Sequence, residues 1–173
     1  MVRLTRMVQL DRQVSVVRAD AVALPFAAGR FDACVSQEAL LHIADKARVL
    51  AEARRVLAPG GRLAFTDWIA HPTLGDRERR QLEQWMAAVT LQTLDGYRGL
   101  LGRAGFRAVE CEDLSAEWRP ILGERLAMYR SMRADFTRRL GERAYREYDQ
   151  LYTFFVGLIE RGKLGGGRFS GSA

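Results

Sequence analysis

The stretch from Val14 to Trp68 constrains the fold more than any other part of the chain. It reads VSVVRAD, then AVALPFAAGR, then FDACVSQEALLHI, then a helical pattern from Asp45 to Leu57, then PGGRLAFTDW. Val14 to Arg18 is rich in β-branched residues and predicts a strand, and Phe31 to Val35, introduced by a turn at Gly29, predicts a second, buried one. Asp45 predicts the N-cap of a crossover helix whose core stripe is Val49, Leu50, Ala53, Val56 and Leu57. Pro59-Gly60-Gly61 stops that helix and turns the chain into a third strand at Arg62–Thr66. Strand, helix and strand with short Gly/Pro punctuation imply a parallel sheet covered by helices. Ligands of such sheets bind beyond the carboxyl ends of the strands. Those ends carry Asp20-Ala21, Ser36-Gln37-Glu38 and Thr66-Asp67-Trp68, which are expected to converge on one cleft.

The 173 residues suffice for one core and are too few for two ordinary domains. Residues 1–173 therefore read as a single α/β domain. Met1–Gln13 reads as a helix end with Leu4, Met7 and Val8 on one side. His71–Thr93 predicts an amphipathic helix with Leu82, Trp85, Met86 and Val89 inward, and His71 on the surface. Leu94–Ala104 predicts another, ended by Gly105, followed by a strand at Phe106–Glu112. From Trp118 to Arg161 two helices are expected, split near Gly141. The glycine-rich tail from Gly165 onward reads as a faint strand prone to fray.

The net charge of +6 comes from arginine, because Lys46 and Lys163 are the only lysines. Acidic residues are interleaved with the arginines, the pattern of a solvated mixed-charge surface rather than a nucleic-acid footprint. An RNA-binding module built on Arg125–Arg146 is the weaker reading. Cys34 and Cys111 fall far apart in strands expected to be buried, with no metal-ligand spacing, so reduced thiols and no metal site are expected. No apolar run is long enough to span a bilayer and no signal-peptide pattern opens the chain, which points to the cytoplasm and to no membrane partner.

At VVRADAVALPFAAGRFDACVSQEALLHI and RVLAPGGRLAFTD the chain resembles the middle of a class I S-adenosylmethionine-dependent methyltransferase. Within that superfamily, SQEALLHIADKARVLAEARRVL resembles the sarcosine/dimethylglycine N-methyltransferases and the phosphoethanolamine methyltransferases. TLQTLDGYRGLLGRAGF, EDLSAEW and, more loosely, GKLGGGRF are similar to their downstream segments. The resemblance implies a Rossmann-like sheet with helices on both faces and a C-terminal helical insertion at residues 114–162. It also implies S-adenosyl-L-methionine as cofactor and a small-molecule amine as acceptor, with a homodimer compatible with the type. The family's glycine-rich turn and first strands have no counterpart here. The expectation is an N-terminally truncated methyltransferase whose sheet has a hole or a rearranged pairing. The alternative is a non-catalytic remnant or half-domain.

Carried over by position, the resemblance places Asp20 and Ala21 at the adenine and Ser36 and Gln37 beside the cofactor's amino-acid part. His42 is the sharpest single residue, with Glu38 expected one turn earlier on the same helical face. An amine attacks a methyl group only through a free lone pair, and imidazole is the side chain able to take the ammonium proton near neutral pH. Trp68, Tyr97, Arg125 and Tyr129 are the acceptor-binding candidates. Arg125 and Arg98 could clamp a carboxylate with two parallel hydrogen bonds. Aromatic side chains between Tyr129 and Phe155 could wall a cation or simply form core. The run Trp85–Val89 carries no phosphate-binding group, which argues against a phosphorylated acceptor.

Overall fold

Strand β1 (Phe31–Gln37) leads through a 3-10 turn at Leu40–His42 into helix α1 (Lys46–Val56) and strand β2 (Leu57–Ala70) in the computed structural model, which describes residues 7, 9, 10 and 12–173. The physical signals read from the sequence operate here. Asp45 caps α1, accepting from the amide of Arg48 at 2.9 Å, and Val49, Leu50, Ala53 and Val56 are buried along one face. Gly60 takes φ +78, a left-handed turn that side chains resist. Helices α2 (Asp76–Met86) and α3 (Leu94–Arg103) follow, then β3 (Arg107–Asp113). Helices α4 (Ser115–Ser131), α5 (Arg133–Leu140) and α6 (Glu142–Glu160) precede the last strand, β4 (Leu164–Ser172).

The sheet order is β1-β2-β4-β3. β1 runs parallel to β2, while β4 is antiparallel to both β2 and β3. Three strands therefore share a direction and β4 opposes them. The tail expected to fray is thus a central, mostly buried strand. Its glycines mark close packing rather than looseness. A Cβ at Gly166 would lie 2.3 Å from the Trp118 ring, and one at Gly167 would lie 2.5 Å from the Phe169 ring.

Other expectations need correction. Val14–Arg18 forms no strand. Val14, Val16 and Val17 are exposed, and β-branched residues favour strands only where a neighbouring strand and a packed face receive them. Among the described residues β1 is bonded on one side only, to β2, and it is half-exposed rather than buried, with Val35 81% exposed. Cys34 and Cys111 are likewise half-buried free thiols. The helix expected over His71–Thr93 is confined to α2, because Ala87 takes the left-handed conformation and ends it. The segment from Trp118 to Arg161 contains breaks at Met132 and Gly141, giving three helices where two were expected. Within β3, Ala108 sits exposed at an irregular register with φ +48. The helix end expected at Met1–Gln13 lies largely outside the described residues.

Two apolar layers sandwich the sheet, and the alternation of β2 assigns its residues between them. Leu63, Phe65 and Ile69 pack with Leu50 of α1 and Tyr97 and Leu101 of α3. Trp68 and Ala70 point the other way, onto Leu122 and Leu126 of α4 and Phe155 of α6. Asp67 falls in the first layer and is fully buried. Its Oδ1 accepts from the amide of Leu41 at 3.2 Å and its Oδ2 accepts from the phenol of Tyr97. Burial pushes the Asp67 carboxyl above its ordinary range despite these donors and the nearby Lys46 ammonium. Burial and the adjacent carboxylate push Tyr97 up as well, so the phenol keeps its proton and donates. Lys46, also buried, spans to the Ile43 carbonyl at 2.9 Å, the Thr90 carbonyl at 2.7 Å and the Thr90 hydroxyl.

Tyr97→Phe leaves the shape of this cluster intact but strips a buried carboxylate oxygen of its donor. A loss of about 1–3 kcal/mol is expected, read as a lower urea midpoint with unchanged slope. An unshifted midpoint would mean that Asp67 does not depend on this bond.

Candidate functional site

One cleft runs along β1 from Phe31 to Ser36 and on to Leu40, and a second, smaller one lies at Glu38 beyond the strand's carboxyl end. Ala21, Leu24, Phe26, Ser36, Leu40 and Ile43 line part of the first, which encloses about 380 Å³ with largely apolar walls. That volume lies within the roughly 300–1,000 Å³ of small-molecule pockets. Glu38, Trp68, Trp118, Ile121, Leu122 and Arg125 line the second, of about 140 Å³. At roughly 30 Å³ per water, it holds a group of only about five waters' volume.

The loop that walls the first cleft is held to α1 by the Glu52–Arg55 ion pair and by Arg48, which donates to the Val22 carbonyl at 3.1 Å. Glu52 accepts from the Leu24 amide at 2.9 Å and from the Arg55 guanidinium at 2.8 and 2.9 Å. Arg55 in turn donates to the carbonyls of Phe26 at 2.7 Å and Leu24 at 3.0 Å. Arg55 and the Leu24 amide hold the Glu52 carboxyl down at about 2. Asp20 is exposed, and its Oδ1 accepts from the Val22 amide at 3.1 Å, which tightens the turn. Ala21 and Ser36 thus meet in one cleft. Gln37 is exposed on β1 in register with Thr66 and does not line it.

In the second cleft Trp68 is fixed on two sides, edge-on to Trp118 at 5.1 Å and to Phe155 at 5.5 Å between ring centroids. Glu38 reaches it from a left-handed backbone, φ +48, with its amide bonded to the Thr66 carbonyl at 2.8 Å. Non-glycine residues held this way cost about 1–3 kcal/mol and cluster where the backbone serves a site. Glu38 is outside the 3-10 turn, so the shared helical face expected for Glu38 and His42 does not exist. His42 stands exposed in that turn and does not line the cleft. Its Nδ1 lies 3.0 Å from the carbonyl of Ala87. A carbonyl only accepts, so Nδ1 carries the hydrogen and Nε2 of the neutral ring keeps its lone pair.

The remaining acceptor-binding candidates separate. Arg125 lies on the second cleft with Trp68. Tyr97 does not, because it is fully buried against Asp67. It is a structural residue: adjacent positions of β2 face opposite layers, and Tyr97 packs on the face of Asp67. The convergence expected of Asp20, Gln37 and Asp67 also fails, because Asp20 lies in an exposed turn, Gln37 is exposed on β1 and Asp67 is fully buried under α3. Tyr129 donates to the Tyr145 carbonyl at 3.1 Å, stacks on the Tyr145 ring at 5.2 Å, and lines neither cleft. Burial pushes its phenol up to about 12. Arg98 pairs with Asp95 at 3.8 Å on the surface of α3. His71, expected at the surface, is half-buried and its Nε2 meets the Ser115 hydroxyl at 3.1 Å. Sequence reasoning missed Trp118 as a cleft residue. The signal was the three-glycine run of β4, where a large neighbour can approach the backbone.

Glu52→Gln is expected to remove part of the acid sensitivity of the fold. The folded carboxyl titrates at about 2 and the free one near 4.5. Its stabilisation is therefore complete above the unfolded value and is lost as pH falls through that window. Thermal melts between those limits should slope less steeply for the variant than for the parent. Parallel slopes would remove Glu52 from the latch.

Residues 1–65 match the family described as a methyltransferase domain. The chain is 37% identical over 114 residues to the methyltransferase GfsG of Streptomyces halstedii, covering 64% of this chain and 41% of that one. It is 36% identical to the 27-O-demethylrifamycin SV methyltransferase of Amycolatopsis mediterranei, covering 64% of this chain and 42% of that one. It is 33% identical to the glycine/sarcosine/dimethylglycine N-methyltransferase of Actinopolyspora halophila, covering 68% of this chain and 21% of that one. A crystal structure of a candidate sarcosine dimethylglycine methyltransferase from Galdieria sulphuraria superposes with a TM-score of 0.87 at 18% identity, covering 98% of this chain and 62% of that one. The chain thus spans about two fifths of the length of the first curated relatives it matches. Residues 1–65 carry the match to the methyltransferase-domain family, and the mixed α/β sheet shares the fold of the Galdieria sulphuraria structure.

Proposed function

We propose that the chain serves S-adenosylmethionine-dependent methyl transfer to a small amine, with the donor at the first cleft and the acceptor at the second. The observation that carries this reading is the meeting of Glu38, Trp68, Trp118 and Arg125 around one small cleft. Indole faces and a carboxylate attract an ammonium group, and a guanidinium matches a carboxylate. An amino acid such as sarcosine or dimethylglycine carries both groups. Such an acceptor also agrees with the N-methyltransferase among the relatives, whereas the 27-O-demethylrifamycin enzyme, by its name, methylates oxygen.

The first cleft fits the adenine end of the cofactor. Ala21, Leu24 and Phe26 offer apolar walls for a planar ring. Asp20 keeps its other carboxylate oxygen for the exocyclic amine, and Ala21 follows directly. Ser36 is the polar group available beyond the ring, and Gln37 can contribute only its backbone. No charged side chain lines this cleft among the described residues, so the fit covers adenine rather than the ribose or the amino-acid part. When bound, S-adenosylmethionine supplies an electrophilic sulfonium methyl. The chain's part is to align, to exclude water and to handle one proton. Trp68 and Trp118 do the first two at the acceptor. His42 stands outside that cleft with its Nδ1 hydrogen engaged by Ala87, so its Nε2 would take the ammonium proton through an intervening water.

A second reading, a half-domain or remnant without turnover, draws on the one-sided pairing of β1 and on the uncharged lining of the donor cleft. Calorimetric titration with S-adenosylhomocysteine separates the two. Saturable heat, with transfer of label from S-adenosylmethionine to sarcosine or dimethylglycine, is expected for the enzyme. No heat from folded chain establishes the remnant. Given turnover, His42→Gln should lower kcat by about 100-fold or more while leaving donor binding unchanged. An unchanged kcat would remove His42 from the proton step.

A further inference from the structure

The acceptor cleft owes its shape to a residue with no side chain. Trp68 on β2 is paired in register with Gly166 on β4, so the place beside Trp68 on that face is vacant of any β4 side chain. Trp118, arriving on the first turns of α4, fills it. The Gly166 carbonyl accepts from the Leu114 amide at 2.8 Å, which fixes the start of that helix against the strand. A Cβ at Gly166 would stand 2.3, 2.4 and 2.6 Å from Cδ2, Cε2 and Cε3 of Trp118, where ordinary contact needs roughly 3.5–4.0 Å. The indole therefore lies directly on strand backbone. From there it meets Trp68 edge-on and forms one wall of the 140 Å³ cleft, with Glu38 and Arg125 on the same lining.

We propose that Gly166, by seating Trp118 on bare backbone, determines how bulky a group the acceptor cleft admits, and that the group admitted is a small ammonium beside a carboxylate. The inference rests on reading the second cleft as the acceptor site. Gly166 is a positioning residue that acts through Trp118. The backbone at Gly166 is not left-handed, so it accepts alanine, and the nearest obstacles to the methyl group are atoms of the indole. Lifting the ring by the missing ångström or so narrows the cleft. Replacing the ring with leucine widens it and removes the reason for the glycine.

Trp68 and Trp118 line the cleft, while Trp85 packs against Phe154 elsewhere and serves as an internal reference. Indole N–H resonances of ¹⁵N-labelled chain can be titrated with sarcosine, glycine betaine and N,N-diethylglycine. The parent should bind the first two, shifting Trp68 and Trp118 but not Trp85, and should discriminate against the diethyl probe by about tenfold or more, the usual worth of an extra methylene or two in a closed pocket. Gly166→Ala should lose glycine betaine before sarcosine. Trp118→Leu should accept the diethyl probe. The double variant Gly166→Ala/Trp118→Leu should regain the melting temperature that Gly166→Ala loses, which covers the case of a single variant too unstable to titrate. Three results overturn the proposal: an unchanged ratio of probe affinities in folded Gly166→Ala, no relaxation in Trp118→Leu, or no response of Trp68 and Trp118 to any probe. The S-adenosylhomocysteine titration tests donor binding independently. Donor binding with silent indoles would sink this inference alone, and responsive indoles without donor binding would sink only the methyl-transfer reading.

Discussion

The fully buried carboxylate of Asp67 is the interaction on which the rest of the arrangement hangs. An ionisable group in the apolar layer between β2, α1 and α3 is tolerable only when its oxygens are occupied. The two donors that occupy them come from different places, the phenol of Tyr97 on α3 and the amide of Leu41 in the turn after β1. Satisfying Asp67 therefore fixes the turn that carries His42 relative to the sheet. Lys46 extends the same logic one step outward. It balances Asp67 in charge and ties α1 to the Ile43 and Thr90 carbonyls. The segment after α2 is thereby drawn against the turn, and Ala87 in that segment supplies the carbonyl that orients His42. A buried charge that contributes little net stability by itself thus specifies one arrangement of three loops.

The opposite layer is organised by subtraction. β4 carries three consecutive glycines, and each is approached by a different group: Ser115 and His71 at Gly165, Trp118 at Gly166, and Phe169 with Ile69 at Gly167. Where the first layer spends polar atoms on precision, this one uses the missing Cβ. The aromatic contacts that result, Trp68 to Trp118 and Trp68 to Phe155, are each worth about 0.5–1.5 kcal/mol beyond area burial. They also make the floor of the acceptor cleft stiff.

How much of this was legible in the residues follows the same division. The capped helix α1, the helix α3 ended at Gly105 and the strand after it could be read because their signals are local: an Asp N-cap, a stripe at helical spacing, a glycine after the last turn. Ala21 beside Ser36 was likewise placed by strand-end reasoning, whereas Trp68 and Glu38, expected in that same cleft, line a second one with Arg125, expected only as a possible carboxylate clamp. What escaped depends on partners far away in sequence. Val14–Arg18 has strand composition but no strand to bond. Tyr97 resembles a site residue, yet its rotamer points at Asp67 because α3 packs on that face. Gly165–Gly167 reads as slack because glycine's second role, admitting a neighbour, is invisible until the neighbour is known. The arginines read as a mixed-charge surface are so in part. Arg130, Arg133 and Arg168 sit on Asp149, Glu142 and Glu112, which fits poorly with a nucleic-acid face.

The left-handed backbone at Glu38 joins the two halves of the functional argument. Along a regular strand, residues two apart share a face, so an extended continuation of β1 would aim Ser36 and Glu38 in the same direction. The positive φ at Glu38 breaks that alternation. Ser36 stays with the larger apolar cleft while Glu38 turns to the smaller cleft beside Trp68. An in-line displacement puts the acceptor nitrogen and the sulfur on opposite sides of the methyl carbon with nothing between them. The proposed methyl transfer therefore requires the two clefts to communicate past the five-residue segment Ser36–Leu40, whose left-handed centre lets it face both ways. A glutamate at that position brings a carboxylate to the lining of the smaller cleft, beside Trp68 and Arg125.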